Sequence, residues 1–142
     1  MRYLLDTNIC IYLMKAHPPE VVERFKRTPV GHIGMSVVTY AELRHGVERC
    51  PPADRRLAEQ ALIRFVSLVP ILALDAQAAE TYGVIAAAIR DRRRDALDRL
   101  IAAHAISIGA ILITNNEADF KDYPGLSLEN WVDPQNAAGR AL

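Results

Sequence analysis

Five short apolar runs punctuate this chain, at residues 3–5, 32–35, 69–74, 110–113 and 126–128, and the stretches between them carry apolar residues at helical rather than alternating spacing. Runs this short and this largely apolar are expected to be strands buried on both faces. Strands joined by helices run parallel, because a parallel neighbour is reached only by a long crossover, and the crossover helices must cover both faces of the sheet. The expected fold is therefore a three-layer α/β/α domain around a central parallel sheet of about five short strands. At 142 residues, with 51% hydrophobic and 24% charged residues, the chain suffices for one such domain and its core without disulfides or a structural metal.

The helical stretches have readable ends. Asp6-Thr7-Asn8 stops the first run and supplies capping side chains for a helix over 8–15. Pro18-Pro19 opens a second helix over 20–27, which ends before Thr28-Pro29. Ser36 is placed to cap a helix reaching Glu48, and Pro51-Pro52 separates it from a helix over 53–67. Asp75 caps the next, in which Tyr82, Ile85, Ala86 and Ile89 share a face up to a basic end at Arg90, Arg92, Arg93 and Arg94. Asp98 opens a last helix, with Ile101, Ala105 and Ile108 inward and Gly109 closing it. Residues 1–133 are expected to form the domain and 134–142, which lack an apolar pattern, a loose tail.

Charge excludes a simple electrostatic binder of nucleic acid: Lys plus Arg and Asp plus Glu both total 17, so any phosphate recognition must be local. Cys10 and Cys50 stand alone, with no second cysteine at zinc-ligand or redox spacing. A carboxylate already at position 6 leaves no room for a secretory apolar segment ahead of it, and no run approaches the ~18 residues of a membrane span. A cytoplasmic protein without a membrane partner is expected.

Against that neutral background four acids stand out. In open α/β sheets, ligands collect at the carboxyl edge. Asp6 ends the first strand and Asp119 lies in the loop after the fourth. Glu42 falls one turn beyond Thr39 and nearly two beyond Ser36, so the three share a helix face. Asp98 comes instead from a helix start, where the dipole favours a carboxylate whatever its role. Any one of these acids alone is explained as a cap or a solvated charge. Four converging on one edge repel each other and need a cation. Magnesium suits carboxylate oxygen and substrate phosphate, whereas zinc would call for histidine or cysteine ligands. A hard cation activates water against a phosphodiester, so a hydrolase acting on nucleic-acid backbone is the expected activity.

The motifs resemble a known family. Leu-Leu-Asp-Thr-Asn at 4–8, Ser-Val-Val-Thr-Tyr-Ala-Glu-Leu at 36–43, Asp-Arg-Leu-Ile-Ala-Ala-His-Ala at 98–105, Thr-Asn-Asn-Glu-Ala-Asp-Phe at 114–120 and the closing Pro-Gly-Leu-Ser-Leu-Glu-Asn-Trp together are similar to PIN-domain ribonuclease toxins of the VapC type. The resemblance implies that Asp6, Glu42, Asp98 and Asp119 are the catalytic, metal-binding acids and that Asn8, Thr114 and Asn116 line or brace the site; Ser36 and Thr39, read on the helix face of Glu42, are further supporting candidates. It implies Mg2+ as cofactor, with Mn2+ as a substitute, an RNA substrate such as tRNA, a cognate antitoxin of the VapB type, and a homodimer. Two departures follow. Where similar chains carry a Gly-x-Pro-Ile-Gly turn, this one reads Asp91-Arg92-Arg93-Arg94-Asp95-Ala96-Leu97, and Asn116 stands where many relatives have an acid.

Arg92, Arg93, Arg94 and Arg99 flank Asp98 and are candidate phosphate contacts. His104, in an alanine-rich helix, is expected to pack or hydrogen-bond near the core, and Trp131 and Tyr12 to pack, with Tyr12 open to an antitoxin. Two other functions fit parts of the pattern. A PIN-like module could use the acids only to bind a stabilising cation. An aspartyl phosphotransfer domain could use Asp6 as acceptor, although Asn8 stands where a dehalogenase-type loop would carry its second aspartate.

Overall fold

The computed structural model describes residues 1–89 and 96–132. Five strands, β1 (Tyr3–Leu5), β2 (Ile33–Ser36), β3 (Ile71–Leu72), β4 (Ile111–Ile113) and β5 (Ser127–Glu129), form one sheet in the order β3-β2-β1-β4-β5. Every neighbouring pair is parallel, with Leu5 opposite both Met35 and Ile113. Helices α1 (Thr7–Met14), α2 (Pro19–Arg27), α3 (Val37–Glu48), α4 (Pro52–Leu68), α5 (Ala76–Ala88), α6 (Ala96–Ile108) and α7 (Glu117–Phe120) complete the described chain.

The strand alternation divides the core into two layers. Tyr3, Leu5, Met35 and Ile113 face one side, where Ile9, Cys10, Val21, Leu43, Val47, Leu62 and Phe65 bring in α1 to α4. Leu4 and Leu112 face the other, under Ile85 of α5 and Ile101, Ala102 and Ala105 of α6. The expected three-layer α/β/α architecture around five parallel strands is the one observed. Each fully buried aliphatic side chain contributes roughly 1.5–3 kcal/mol to holding the layers together.

The helix starts follow the capping chemistry. Asp6 accepts from Ile9 N–H at 2.9 Å, Ser36 from Val38 N–H at 3.1 Å and Asp75 from Ala78 N–H at 2.9 Å. Gly109 takes φ +68° just past α6, the left-handed geometry that a glycine enters without strain. Most boundaries fall within about two residues of expectation, with Asp98 inside the first turn of α6 rather than opening it, and α5 closes at Ala88, before the basic stretch expected to end it; two elements depart further. The third strand, expected over 69–74, is only Ile71–Leu72. Pro70 has no N–H for the ladder and joins it only through its carbonyl, which accepts from Met35 N–H at 2.9 Å. The segment after β4, read as a loop, contains the single turn of α7. The expected tail, 134–142, lies outside the described residues.

β5 is secured by a side-chain cluster. Glu129 Oε1 accepts from Trp131 Nε1 at 2.8 Å and pairs with Arg24 of α2 at 2.6 Å, while the Arg24 guanidinium lies 5.3 Å from the Trp131 ring centre. Trp131, nearly buried, meets Tyr3 of β1 edge to face at 5.7 Å. Trp131→Ala therefore opens the core at β1 and β5 together. It should cost about 3–5 kcal/mol of unfolding free energy, read as a fall in the urea midpoint; a loss below about 1 kcal/mol would mean that the cluster is peripheral.

Candidate active site

The register at Leu5 builds the site. Since Leu5 faces Met35 and Ile113 across the ladders, the next residue of each strand, Asp6, Ser36 and Thr114, stands in a row at the carboxyl edge of β2, β1 and β4. All three are buried. Asp6 N–H donates to Ile113 O at 3.0 Å, which fixes its backbone. Burial pushes its carboxyl up from the ordinary 3.8 to about 6, and the Glu42 charge adds to the rise; hydrogen bonds from the Thr114 side chain and from Ile9 and Asn8 N–H oppose it.

Glu42, half-buried on α3, accepts from Thr7 Oγ1 at 2.6 Å through Oε1. It lines an open cavity of about 240 Å3 together with Asp98 of α6 and the adjoining Ala96 and Leu97. Asp119, on α7, accepts from Asn116 Nδ2 at 2.5 Å, and Asn116 N–H donates to Thr114 Oγ1 at 3.0 Å. The acids thus fall into two linked groups: Asp6, Thr114, Asn116 and Asp119 along one hydrogen-bonded path, and Glu42 with Asp98 around the cavity. Asp6 and Glu42 interact electrostatically across the two.

The other expected supporting residues differ in their surroundings. Ser36 and Thr39 are fully buried. Ser36 caps α3 and meets His104 Nδ1 at 2.8 Å, and the Thr39 hydroxyl has no hydrogen-bond partner among the described residues. Burial holds the His104 pKa below its usual value, against a smaller opposing effect of the Asp75 charge, so His104 takes the core role expected of it. Asn8 is exposed on the first turn of α1. Arg99 is a correction: it is 8% exposed, hydrogen-bonds to the Tyr82 and Tyr123 side chains and lies 6.0 Å from the Tyr82 ring centre. A guanidinium committed to two tyrosines braces α6 and does not reach out to phosphate. Arg92, Arg93 and Arg94 lie outside the described residues. Thr7 was missed as a functional residue. Its one signal was its place beside Asp6 at a strand's carboxyl end.

Among the described residues no set of three or more acids, histidines or cysteines is gathered closely enough to hold a metal ion by itself. The donor chemistry nonetheless fits a hard cation. Asp6 and Glu42 take no part in the ion pairs found among the described residues, Arg24 with Glu129 and Arg44 with Glu48 and Glu59. The nearby hydroxyl and amide oxygens are also hard donors. Without a cation, the charge on Asp6 is a cost. With its folded pKa above the unfolded value, Asp6 contributes stability below about pH 3.8, and that contribution is lost as the pH rises through about 6. In chelator, Asp6→Asn should be more stable than the wild type by on the order of 3 kcal/mol above pH 6, with the difference fading toward pH 4. Equal urea midpoints at pH 7 would contradict the buried-charge assignment.

Comparison with known proteins identifies the family. Residues 3–126 match the PIN domain model. The tRNA(fMet)-specific endonuclease VapC of Shigella flexneri is 39% identical over 92% of this chain and 98% of its own length, and Ribonuclease VapC2 of Haemophilus influenzae is 37% identical over 93% and 99%. Among solved structures, DNA-bound VapBC from Salmonella typhimurium superposes with a TM-score of 0.85 at 32% identity, covering 93% of this chain and 99% of that one. VapBC2 from Rickettsia felis, bound to a promoter DNA fragment, gives 0.82 at 33% identity, covering 93% and 100%. The chain belongs to the PIN domain family, among its VapC-type members.

Proposed function

We propose that this chain is the ribonuclease toxin of a toxin–antitoxin pair, a magnesium-dependent endoribonuclease that hydrolyses RNA phosphodiester bonds at the Asp6, Glu42, Asp98 and Asp119 edge. The observation that carries the reading is the cavity shared by Glu42 and Asp98 beside the buried, uncompensated Asp6 carboxylate. Asp6, Glu42 and Asp98 would hold the ion, with Asp119 and the Asn116 amide at the margin. Magnesium, or manganese in its place, supplies charge neutralisation for the phosphodiester and activation of the attacking water.

The chain's own side chains do the positioning. Thr7 donates to Oε1 of Glu42 and so fixes which carboxylate edge turns to the cavity. Thr114 donates to Asp6 and takes the Asn116 N–H, linking the sheet edge to the turn that carries Asp119. The names of the relatives support transfer RNA as the substrate.

The VapBC structures support a VapB-type antitoxin as partner. The surface suited to it is an open, mainly apolar groove of about 710 Å3 between α1, α3 and α4, lined by Ile11, Met14, Leu43, Val47 and Ala61 and reaching Glu42. A bound segment would cover the approach to the site. No helix among the described residues is long and apolar enough to cross a membrane.

Purified protein should cut tRNA with Mg2+ and not in chelator, and Asp6→Asn, Glu42→Gln and Asp98→Asn should each lower the rate by about a hundredfold or more. Thr7→Val, which removes one hydrogen bond to a charged group, should cost about tenfold. Equal cutting by all variants would leave the acids a structural role, and a stoichiometric acid-labile phosphate on Asp6 after a phosphodonor would favour phosphotransfer. Ala61→Arg, placed in the groove, should weaken antitoxin binding by about tenfold or more while leaving RNA cleavage intact. Unchanged relief of growth arrest by the antitoxin would move the partner to another surface.

A further inference from the structure

α3 and α6 meet at two places, and the two are related by count. Ser36, the cap of α3, meets His104 of α6 at 2.8 Å. Six residues on from Ser36 stands Glu42; six residues back from His104 stands Asp98; and these two line one cavity of about 240 Å3. Six residues are about 9 Å of helix. The helices therefore pass each other antiparallel, with a buried hydrogen bond at one end of the shared span and the pair of acids at the other.

Between those ends α6 buries Ile101, Ala102 and Ala103, and Val38 of α3 joins the same core layer. Two of the three are alanines, whose methyl groups set register less sharply by packing than branched side chains would. The His104–Ser36 contact is directional. It is also buried at both ends, with His104 2% exposed and Ser36 fully enclosed, so breaking it strands polar atoms away from water. Ser36 Oγ also accepts from Val38 N–H at 3.1 Å, so the same oxygen ties His104 to the first turn of α3 and to the end of β2.

We propose that His104 is a positioning residue, whose hydrogen bond to Ser36 sets the register of α6 against α3 and thereby the gap between Asp98 and Glu42. The inference rests on the reading of those acids as cation ligands for its functional consequence. A sliding error at His104 passes unchanged along two stiff helices to the acids, where a divalent ion tolerates little change in ligand spacing. The carboxylates need not move in their own rotamers for the site to be lost.

Three substitutions separate this role from simple packing. Asn puts an amide where the His Nδ1 stands, Gln puts it a bond further out, and Leu keeps bulk without polarity. In metal-free protein, spin labels at Ala41→Cys on α3 and Ala96→Cys on α6, both exposed sites, in a Cys50→Ser background, report the spacing of the helices directly. His104→Asn should keep the wild-type distance distribution, while His104→Gln and His104→Leu broaden or shift it. Manganese affinity, measured by calorimetry without RNA, should stay within about threefold of wild type for His104→Asn and weaken by about tenfold or more for the other two. Wild-type distances in both His104→Gln and His104→Leu would overturn the proposal, as would manganese binding at the wild-type affinity in all three. If His104→Leu does not fold, the Asn and Gln variants decide between them. A wild type that binds no manganese while its helix spacing still follows residue 104 would uphold the positioning role and sink the cation reading instead.

Discussion

Leu5 pairs with two strands at once, and most of what matters in this protein is arranged by that double pairing. A parallel ladder aligned at Leu5, Met35 and Ile113 brings the three following residues to a common edge. Parallel sheets are covered on both faces, so that edge is the one place where polar side chains can meet a ligand without disturbing the layers. Asp6 takes the central position. It is held by the strand behind it and the helix it caps, and it is enclosed enough that its ionised form is disfavoured. The fold therefore accepts a local energetic penalty at the centre of the sheet, which the surrounding apolar layers offset.

The layered architecture was readable because each of its signals is local. Short apolar runs mark buried strands, and Asp6, Ser36 and Asp75 directly after three of them mark helix caps, all three with the expected side-chain hydrogen bonds. What escaped depends on contacts across the chain. Thr7 lies 35 residues from Glu42, and nothing in its neighbourhood announces that its hydroxyl serves a glutamate rather than its own helix. Pro70 shortened β3 because a missing N–H counts only when a neighbour needs it.

Arg99 marks the limit of charge as a signal. It follows a run of arginines, yet helical spacing places it on one face with Ala102 and Ala103, both buried. Periodicity outranks composition where the two disagree, and the tyrosines that receive the guanidinium come from other elements, at Tyr82 and Tyr123. The site acids divide the same way. Asp6 and Asp119 are marked by strand ends, whereas Asp98 is placed by a helix whose docking only tertiary packing defines.

The four acids are also mounted unequally. Asp6, Glu42 and Asp98 ride on a strand end and two long helices, while Asp119 rides on a one-turn helix, held by its Asn116 contact and by Phe120 packed edge to face on Tyr123 at 6.2 Å. A single turn has too few internal hydrogen bonds to stand alone. The four carboxylates thus differ in how much of the fold each would carry with it: displacing Asp6, Glu42 or Asp98 disturbs a strand end or a long helix, whereas displacing Asp119 disturbs a single turn.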